Sequence, residues 1–348
     1  MTPVERVRVA VIGAGYWGPN LIRNIATNDR AILTAVCDTS HAARERLAQR
    51  YPDVLVTDDL TQAVDTCDAV VIATPAFLHF EHANLSLDAG KHVMVEKPIA
   101  TSYNDAIRLR DKANTLGLTL MVGHTYLYND IVRDVKRRID AGDLGNIYYI
   151  YSMRLNLGQI RRDIDVLWNL APHDISIVNY WLDSRPYQVS ARGLYYLQPE
   201  AELADVAFCQ LDYPTNQSVH LHLSWLDPQK TRQTIIVGSQ KMLVFDDVSP
   251  DQQIQIYDKR VEREYQALTT EFGDFKMRTR AGDLIVPAIH SSEPLFQEID
   301  HFLGCVKSGS APMTDALNGV EVVSILEALS QSMQTSGSIV PVNYPPSP

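Results

Sequence analysis

The first third of the chain alternates regularly between short apolar runs and helix-like segments, and this order limits the folds that the chain can adopt. Five apolar runs of strand length occur there: Val7–Ile12, Ala31–Cys37, Ala69–Ala73, His92–Val95 and Thr119–Val122. This order is typical of βαβ units around a parallel sheet. The runs do not alternate between apolar and polar residues, which favours strands covered on both faces. The sequence therefore predicts a doubly wound α/β domain over residues 1–124.

After residue 124 the pattern changes to successive strand-like stretches, many of them with period-two alternation, as in Ser218–Ser224. Such a run of strands predicts a second, α+β domain over residues 125–348, with a large, open and mostly antiparallel sheet. The helices predicted in this part of the chain lie near 129–141, 167–182, 294–308 and 316–334. The last two are free to pack back on the first domain.

The composition excludes several classes of protein. A net charge of −11 over 348 residues disfavours a nucleic-acid surface, which needs clustered Lys and Arg. The four cysteines lack metal-ligand spacing, so neither a metal site nor a disulfide framework is expected. No apolar run is long enough for a membrane span, and no leader follows Met1. We expect a cytoplasmic protein.

The first apolar run leads directly into Gly13-Ala14-Gly15-Tyr16-Trp17-Gly18. A GxGxxG turn between a strand and a helix binds a dinucleotide diphosphate at the helix N-terminus. Asp38 ends the second run, at the distance expected for a carboxylate that binds the ribose hydroxyls. A carboxylate there repels a 2′-phosphate, and the next cation is Arg44. The turn predicts a dinucleotide site that prefers NAD to NADP.

Glu96, Lys97 and Pro98 follow the fourth apolar run. The carboxyl ends of the strands in a doubly wound sheet form the ligand crevice. A lysine in that crevice can donate to a substrate hydroxyl, and the proline stiffens the backbone beside it. On residue chemistry alone, a surface salt bridge at the strand end is an equal alternative.

Three segments together resemble one family: the turn Gly13–Gly18, Ala73-Thr74-Pro75 with His79, and Glu96-Lys97-Pro98. The resemblance is to the NAD(P)-dependent sugar and polyol dehydrogenases of the glucose-fructose oxidoreductase/inositol dehydrogenase family, and it covers nearly the whole chain. It implies a Rossmann domain, with the Thr-Pro segment beside the cofactor and the lysine at the site of hydride transfer. The cofactor-binding residues expected are Gly13, Gly15, Tyr16, Trp17, Gly18, Asp38, Thr39, Ala73, Thr74, Pro75, His79, Glu96, Lys97 and His124.

A second catalytic element is expected in the helix near 167–182. His173 can take the proton from a sugar hydroxyl, although a lone helical histidine is more often structural. The family commonly has Asp, three intervening residues and His, with the His as acid/base, and His173 matches. Asn169 stands at the Asp position, which argues against an inositol dehydrogenase. Asn169 either shares the helix face of His173 or caps the helix, and the neighbouring Asp174 either orients the histidine or is a helix-start acid.

The substrate is the least constrained part of the prediction. Three arginines between positions 154 and 162 stand out in an acidic chain and suit a diphosphate, with a solvated loop as the alternative. The segments 15–21 and 167–174 resemble a branch of the family associated with nucleotide-sugar biosynthesis. That branch implies oxidation of UDP-N-acetylglucosamine at C3. The substrate-binding residues expected are Lys97, Tyr126, Arg154, Asn156, Arg161, Asn169 and His173.

Three other functions are weighed against this one: a free-sugar or inositol dehydrogenase, a non-enzymatic dinucleotide sensor, and a trans-dihydrodiol or biliverdin reductase-like enzyme. Lys97 together with His173 argues against the sensor, and the arginines argue against an aromatic substrate. An open sheet face of this size is usually covered. Since family members commonly form dimers or tetramers through that sheet, a homo-oligomer is expected.

Overall fold

The computed structural model describes residues 6–158, 160–265 and 275–346, which form two compact units. The first unit comprises the described residues of Met1–Asn129, Ser291–Glu327 and Tyr344–Pro348. The second comprises those of Asp130–His290 and Ala328–Asn343. The sequence assigned residues 125–348 to one domain, whereas residues 291–327 cluster with the first unit. The first unit therefore includes a helix from near the end of the chain.

The elements are numbered in chain order. The strands are β1 Val7–Ile12, β2 Ala31–Cys37, β3 Leu55–Thr57, β4 Ala69–Ile72, β5 His92–Glu96, β6 Leu120–Gly123, β7 Ile147–Leu155, β8 Gln188–Leu194, β9 Val206–Asp212, β10 Ser218–Ser224, β11 Thr231–Gly238, β12 Met242–Asp246, β13 Ile254–Tyr265, β14 Phe275–Ile285 and β15 Val340–Pro341. The α-helices are α1 Gly18–Thr27, α2 His41–Arg50, α3 Leu60–Asp65, α4 His79–Asp88, α5 Tyr103–Leu116, α6 Asp130–Asp140, α7 Val166–Leu182, α8 Pro294–Ser308 and α9 Ala316–Gln334.

The first unit is built on a six-stranded parallel sheet in the order β3-β2-β1-β4-β5-β6. β4 is buried along its length and β1 is buried except at Arg8, which explains why their runs do not alternate between apolar and polar residues. The order reverses between β1 and β4, where a doubly wound sheet opens a crevice at the carboxyl ends of its strands. The predicted α/β fold class is confirmed, and the crevice lies where β1 ends at Ile12.

Polar caps define the helices of this unit. Ser40, Asp59 and Ser102 each accept a backbone N–H of the helix that they precede, and so begin α2, α3 and α5. Gly117 ends α5 in the left-handed conformation, with φ of +64°.

The second unit is built on a nine-stranded sheet in the order β14-β13-β12-β11-β7-β10-β9-β8-β15. All pairings are antiparallel except that of β10 with β7. One face carries the buried residues of the alternating strands, such as Val219, Leu221 and Leu223 of β10, and α7 packs against β9 and β10. The other face is partly exposed. The predicted large antiparallel sheet is confirmed.

In the part of the chain that the structure describes, no helix is both long and apolar enough to cross a membrane. No group of three or more His, Cys, Asp or Glu side chains within 6–158, 160–265 and 275–346 is arranged to hold a metal ion. The four cysteines are buried free thiols.

Candidate active site

The glycine turn after β1 is shaped by close backbone packing. Gly13 has φ of +97°, and a Cβ atom on it would lie 2.7 Å from the carbonyl carbon and oxygen of Ala73. A Cβ atom on Gly18 would collide with the carbonyl oxygen of Gly13. Gly15 differs, because a Cβ atom there would meet nothing within 4 Å. Gly13 and Gly18 are therefore needed by the fold itself, whereas Gly15 leaves open space where a diphosphate can approach the backbone.

Helix α1 begins immediately after this turn and has no side-chain cap. Trp17 occupies the N-cap position without a side-chain hydrogen bond to the helix, and Pro19 stands in the first turn. The first backbone N–H groups and the positive end of the helix dipole can therefore serve an anion. Tyr16, next to this terminus, is 93% exposed. These features fit the diphosphate of NAD.

Asp38 lies beside the turn, at the carboxyl end of β2. Its carboxylate accepts the N–H of Ala14 at 2.6 Å and that of Ser40 at 2.7 Å. Arg44 donates to the carbonyls of Asp38 and Thr39 and pairs with Asp58 at 2.9 Å. The oxygens of Asp38 keep lone pairs for ribose hydroxyls, and the charge of Arg44 is already balanced by Asp58. This arrangement fits an adenosine ribose without a 2′-phosphate.

His79 links the segments that follow β4 and β5. Its ring nitrogens lie 2.8 Å from the carbonyl oxygen of Thr74 and 2.7 Å from that of Pro98. The side chain is 1% exposed, and burial lowers the pKa of its imidazole. His79 therefore fixes the backbone beside Pro75 and Lys97, and its predicted contact with the cofactor stays a prediction.

Glu96 and Lys97 stand at the carboxyl end of β5. The Oε2 atom of Glu96 accepts the backbone N–H of Lys97 at 3.3 Å. Glu96 keeps some exposed surface, but its Oε1 atom is fully buried. Burial raises the pKa of the Glu96 carboxyl to about 7, against the effect of the charge on Lys97. Lys97 is half-buried, so it is accessible from the crevice end of its strand.

His124 directly follows β6, the strand next to β5. Burial, together with the nearby charge of Lys97, lowers the pKa of His124 to about 3. Neither of its ring nitrogens has a hydrogen-bond partner among the described residues. A neutral imidazole of this kind can donate one hydrogen bond and accept another. This fits a polar, uncharged ligand group, and Tyr126 lies in the same short turn, Thr125–Tyr128.

Sequence reasoning missed Glu298 of α8, which is completely buried. Its Oε2 atom accepts the hydroxyl of Thr125 at 2.7 Å. Burial, together with the charge of Glu96, raises the pKa of the Glu298 carboxyl. The signal was present in the sequence, because Glu298 occupies a position on the apolar face of a helix that the sequence predicted.

In the second unit, α7 carries Asn169 and His173 four residues apart on one face, and both are half-buried. Asp165 caps the helix by accepting the N–H of Trp168 at 2.9 Å. The interpretation of Asn169 as the cap is therefore wrong, and its alternative, a shared face with His173, is confirmed. Because the helix is capped at Asp165, four residues earlier, Asn169 lies inside the helix.

Asp174 does not act as a helix-start acid, and it does not face solvent. It accepts two hydrogen bonds from the guanidinium of Arg154, at 2.8 and 3.2 Å, and one from Ser152 at 2.9 Å. The Arg154 side chain is 8% exposed. Arg154 is thus held in a buried, two-pronged ion pair. This pairing argues against the predicted contact of Arg154 with the substrate.

The other predicted substrate residues lie in the segment before α7. Arg161 pairs with Asp163 at 2.6 Å, and its carbonyl accepts the side chain of Gln198. Asn156 and Arg162 are exposed. Two of the three arginines that suggested a phosphate are therefore paired with carboxylates, which weakens that argument for a nucleotide substrate.

The fold and the turn after β1 define the first unit as a dinucleotide-binding domain of the Rossmann type. Residues 7–124 match a family described as an oxidoreductase family with an NAD-binding Rossmann fold, and residues 132–244 match the C-terminal domain of the same family. The two matches together span more than half of the chain. The chain belongs to the glucose-fructose oxidoreductase/inositol dehydrogenase (Gfo/Idh/MocA) family.

Individual relatives are distant. The chain is 24% identical to the scyllo-inositol 2-dehydrogenase (NAD(+)) of Bacillus subtilis over 335 residues, which is 91% of this chain and 92% of that protein. It is 28% identical to a 1-carboxy-3-chloro-3,4-dihydroxycyclohexa-1,5-diene dehydrogenase of Comamonas testosteroni over 197 residues. That match covers 53% of this chain and spans half of the relative's length.

A solved structure with the same fold is the UDP-N-acetylglucosamine 3-dehydrogenase GnnA from Acidithiobacillus ferrooxidans. The TM-score is 0.77 at 23% identity, covering 95% of this chain and 98% of that one. This likeness concerns the fold.

Proposed function

We propose that the protein oxidises a secondary hydroxyl of a sugar to a ketone with NAD as the preferred cofactor. The observation that carries the proposal is the setting of Lys97, an accessible lysine at the carboxyl end of a central strand, beside a buried carboxyl and two strands away from the glycine turn. NAD, when bound, supplies the acceptor for the hydride. Membership of the oxidoreductase family supports the same reaction class.

Side chains of the protein bind the hydroxyl and accept its proton. Lys97 donates a hydrogen bond to the substrate oxygen and stabilises the negative charge that develops there. His173 accepts the hydroxyl proton, directly or through Lys97. Asn169, on the same helix face, binds a neighbouring hydroxyl, because an amide both donates and accepts but carries no charge. Positioning and electrostatics are the protein's contribution to the rate.

The proposed substrate is UDP-N-acetylglucosamine, oxidised at C3. Support comes from the resemblance of the segments 15–21 and 167–174 to the nucleotide-sugar branch, and from the shared fold with the Acidithiobacillus enzyme. The paired state of Arg154 and Arg161 leaves this the less supported part of the proposal.

Inositol oxidation is the second candidate, since the alignment with the Bacillus inositol enzyme covers both chains almost completely. Asn169 in place of the common aspartate counts against it.

One assay separates the candidates. NADH formation is followed with UDP-N-acetylglucosamine, N-acetylglucosamine, glucose and myo-inositol, and the oxidised sugar is measured by mass spectrometry in case NADH stays bound. The proposal expects turnover of the nucleotide sugar in preference to the free sugars. Equal or faster turnover of a free sugar or of myo-inositol would reject the nucleotide-linked substrate, and turnover of none of them would reject the substrate class.

A further inference from the structure

Glu298 places a carboxyl group in the core of the first unit. It occupies the apolar face of α8 with Leu295, Ile299 and Phe302, and none of its surface is exposed. Glutamate is almost never fully buried unless its polar atoms are satisfied or its charge is removed. Its presence at a core position therefore needs a reason beyond packing.

The segment that follows β6 joins Glu298 to Glu96. Thr125 donates its hydroxyl to Oε2 of Glu298 at 2.7 Å. Two residues earlier, a Cβ atom on Gly123 would lie 3.1 Å from the carboxyl carbon and Oε2 of Glu96. Each of the two glutamates keeps a buried Oε1 atom that has no hydrogen-bond partner in the described chain. The two carboxyl groups thus belong to one cluster around residues 123–125.

The charges of this cluster are unbalanced if both carboxyls are ionised. Burial and the charge of Glu96 raise the pKa of Glu298 well above its ordinary value. The charge of Lys97 acts on Glu96 in the opposite direction, and the low pKa of His124 leaves its ring neutral. Two carboxylates in a low-dielectric site do not both ionise, so one keeps its proton.

The two carboxylates near Glu298 on α8 have partners elsewhere, and Lys307 lies in the last turn of the helix. Glu293, before the helix, pairs with Arg23 at 2.5 Å, and Asp300 pairs with Arg30 at 3.1 Å. His301 lies against the ring of Tyr128. Each of these two ion pairs has no net charge. The protonation state of Glu298 therefore depends on the groups that surround its own carboxyl.

We propose that Glu298 is a positioning residue of this dehydrogenase: its carboxyl group keeps a proton, so that Glu96 is the ionised member of the pair and its single charge holds Lys97. The inference rests on the role of Lys97 in the proposed function. A neutral Glu298 accepts from Thr125 through Oε2 and carries its proton on Oε1. A second negative charge near Lys97 would bind the ammonium more strongly and oppose transfer of its hydrogen bond to the substrate oxygen.

The protonation state is tested without any substrate. Infrared difference spectra of the full chain are recorded at about pH 8, where Glu96, with a pKa of about 7, is mostly ionised. We expect the carbonyl stretch of a buried carboxylic acid in the wild type, its loss in Glu298→Gln, and its retention in Glu293→Gln. Glu293 is a matched control, since it is a glutamate at the start of the same helix with exposed surface. A band that persists in Glu298→Gln, or that is absent from the wild type, overturns the proposal.

The positioning role is tested by rescue with a neutral isostere. NADH formation is measured with UDP-N-acetylglucosamine, or with myo-inositol if the nucleotide sugar is not oxidised. Glu298→Gln keeps the neutral charge and the acceptor for Thr125, so we expect kcat to stay within about threefold, while Glu298→Ala lowers kcat by about 10- to 100-fold. Any other pattern overturns the role, including an equal loss in both variants. If Lys97→Met turns over normally, the proposed function fails, whereas the infrared result stands.

Discussion

At the scale of single residues, three carboxyl groups of the first unit differ in their surroundings. Asp38 accepts two backbone N–H groups at the end of β2. Burial of the carboxyl groups of Glu96 and Glu298 raises the pKa of both. We propose that Asp38 binds the ribose and that the other two carboxyl groups act on Lys97.

Asp38 supplies a direct test of cofactor preference. Asp38→Ala should weaken NAD binding by about 1–3 kcal/mol, because a charged acceptor for the ribose hydroxyls is lost, and should reduce the preference over NADP. Titration calorimetry with NAD and NADP measures both effects. Asp53→Ala removes an exposed carboxylate from the same unit and serves as the control. Unchanged affinity in Asp38→Ala would remove this residue from the cofactor site.

Glu298 makes the stability of the fold depend on pH. Its pKa is raised in the folded state, so the folded chain holds a proton that the unfolded chain loses as pH rises above the ordinary glutamate range. Stability therefore falls with rising pH until the raised pKa is passed, by about 1.4 kcal/mol for each pH unit of that window. Glu298→Gln removes this loss. The variant should gain free energy of unfolding relative to the wild type as pH rises.

Urea denaturation at several values between about pH 5 and pH 9 measures the difference between the two proteins. Glu293→Gln should show no such gain, since Arg23 holds the pKa of the Glu293 carboxyl below its usual range. A Glu298→Gln variant that follows the wild type at every pH would mean that Glu298 is ionised in the folded state.

At the scale of elements, the glycine turn separates requirements of the fold from requirements of the ligand. Gly13→Ala places a Cβ atom against the backbone of Ala73 at a positive φ, and should destabilise the first unit by about 1–3 kcal/mol. Gly15→Ala meets open space and should leave stability within about 0.5 kcal/mol. It should still weaken NAD binding by about tenfold or more, because the methyl group stands where the diphosphate approaches.

Thermal unfolding and NAD titration of the two glycine variants distinguish these effects. A stable Gly13→Ala variant would show that the close contact with Ala73 relaxes, and tight NAD binding by Gly15→Ala would place the diphosphate elsewhere.

Most elements could be predicted because their signals are local. The runs that became β1 and β2 were predicted with their observed bounds, as were α8 and α9. The short elements β3 and α3 were missed, since three and six residues are too few to show a period. The strand β14 was missed because its charged residues mask any alternation.

The sequence predicted site residues only where a short motif and the strand or helix beside it could be recognised together. The turn at Gly13 and the strand end at Lys97 follow from local order. The burial of Arg154 does not, since it depends on a partner, Asp174, on a helix twenty residues away. The place of Glu298 on the apolar face of α8 was visible in the sequence, but its neighbours Glu96 and Thr125 come from distant parts of the chain and were not.

At the scale of the whole molecule, the nine-stranded sheet has a partly exposed face that carries aromatic rings. Phe208 of β9 stacks on His222 of β10, with ring centroids 4.4 Å apart, and remains 47% exposed. Tyr149 of β7 is also exposed. Apolar surface of this kind on a sheet favours association. Self-association through this face, as a dimer or tetramer, stays a prediction.

The variant Phe208→Glu tests self-association through this face of the sheet. A charge in the centre of a desolvated interface is unpaired, so the variant should dissociate to smaller species in light scattering after gel filtration. Leu116→Glu, at an exposed position of α5, should leave the mass unchanged. A wild-type chain that is monomeric at micromolar concentration would contradict the prediction.

We propose that Lys97 and His173 act on the same sugar hydroxyl, and a double-mutant cycle measures whether their effects are coupled. Rates of NADH formation are compared for the wild type, Lys97→Met, His173→Ala and the double variant, with NAD binding measured in each. We predict that Lys97→Met removes nearly all turnover with NAD affinity nearly unchanged, and that His173→Ala slows turnover by about 10²–10⁴-fold. The residual rate of the double variant, followed by product accumulation over long incubations, should be no lower than that of the worse single variant. Effects that multiply in the double variant, or normal turnover in either single variant, would contradict a joint action of Lys97 and His173.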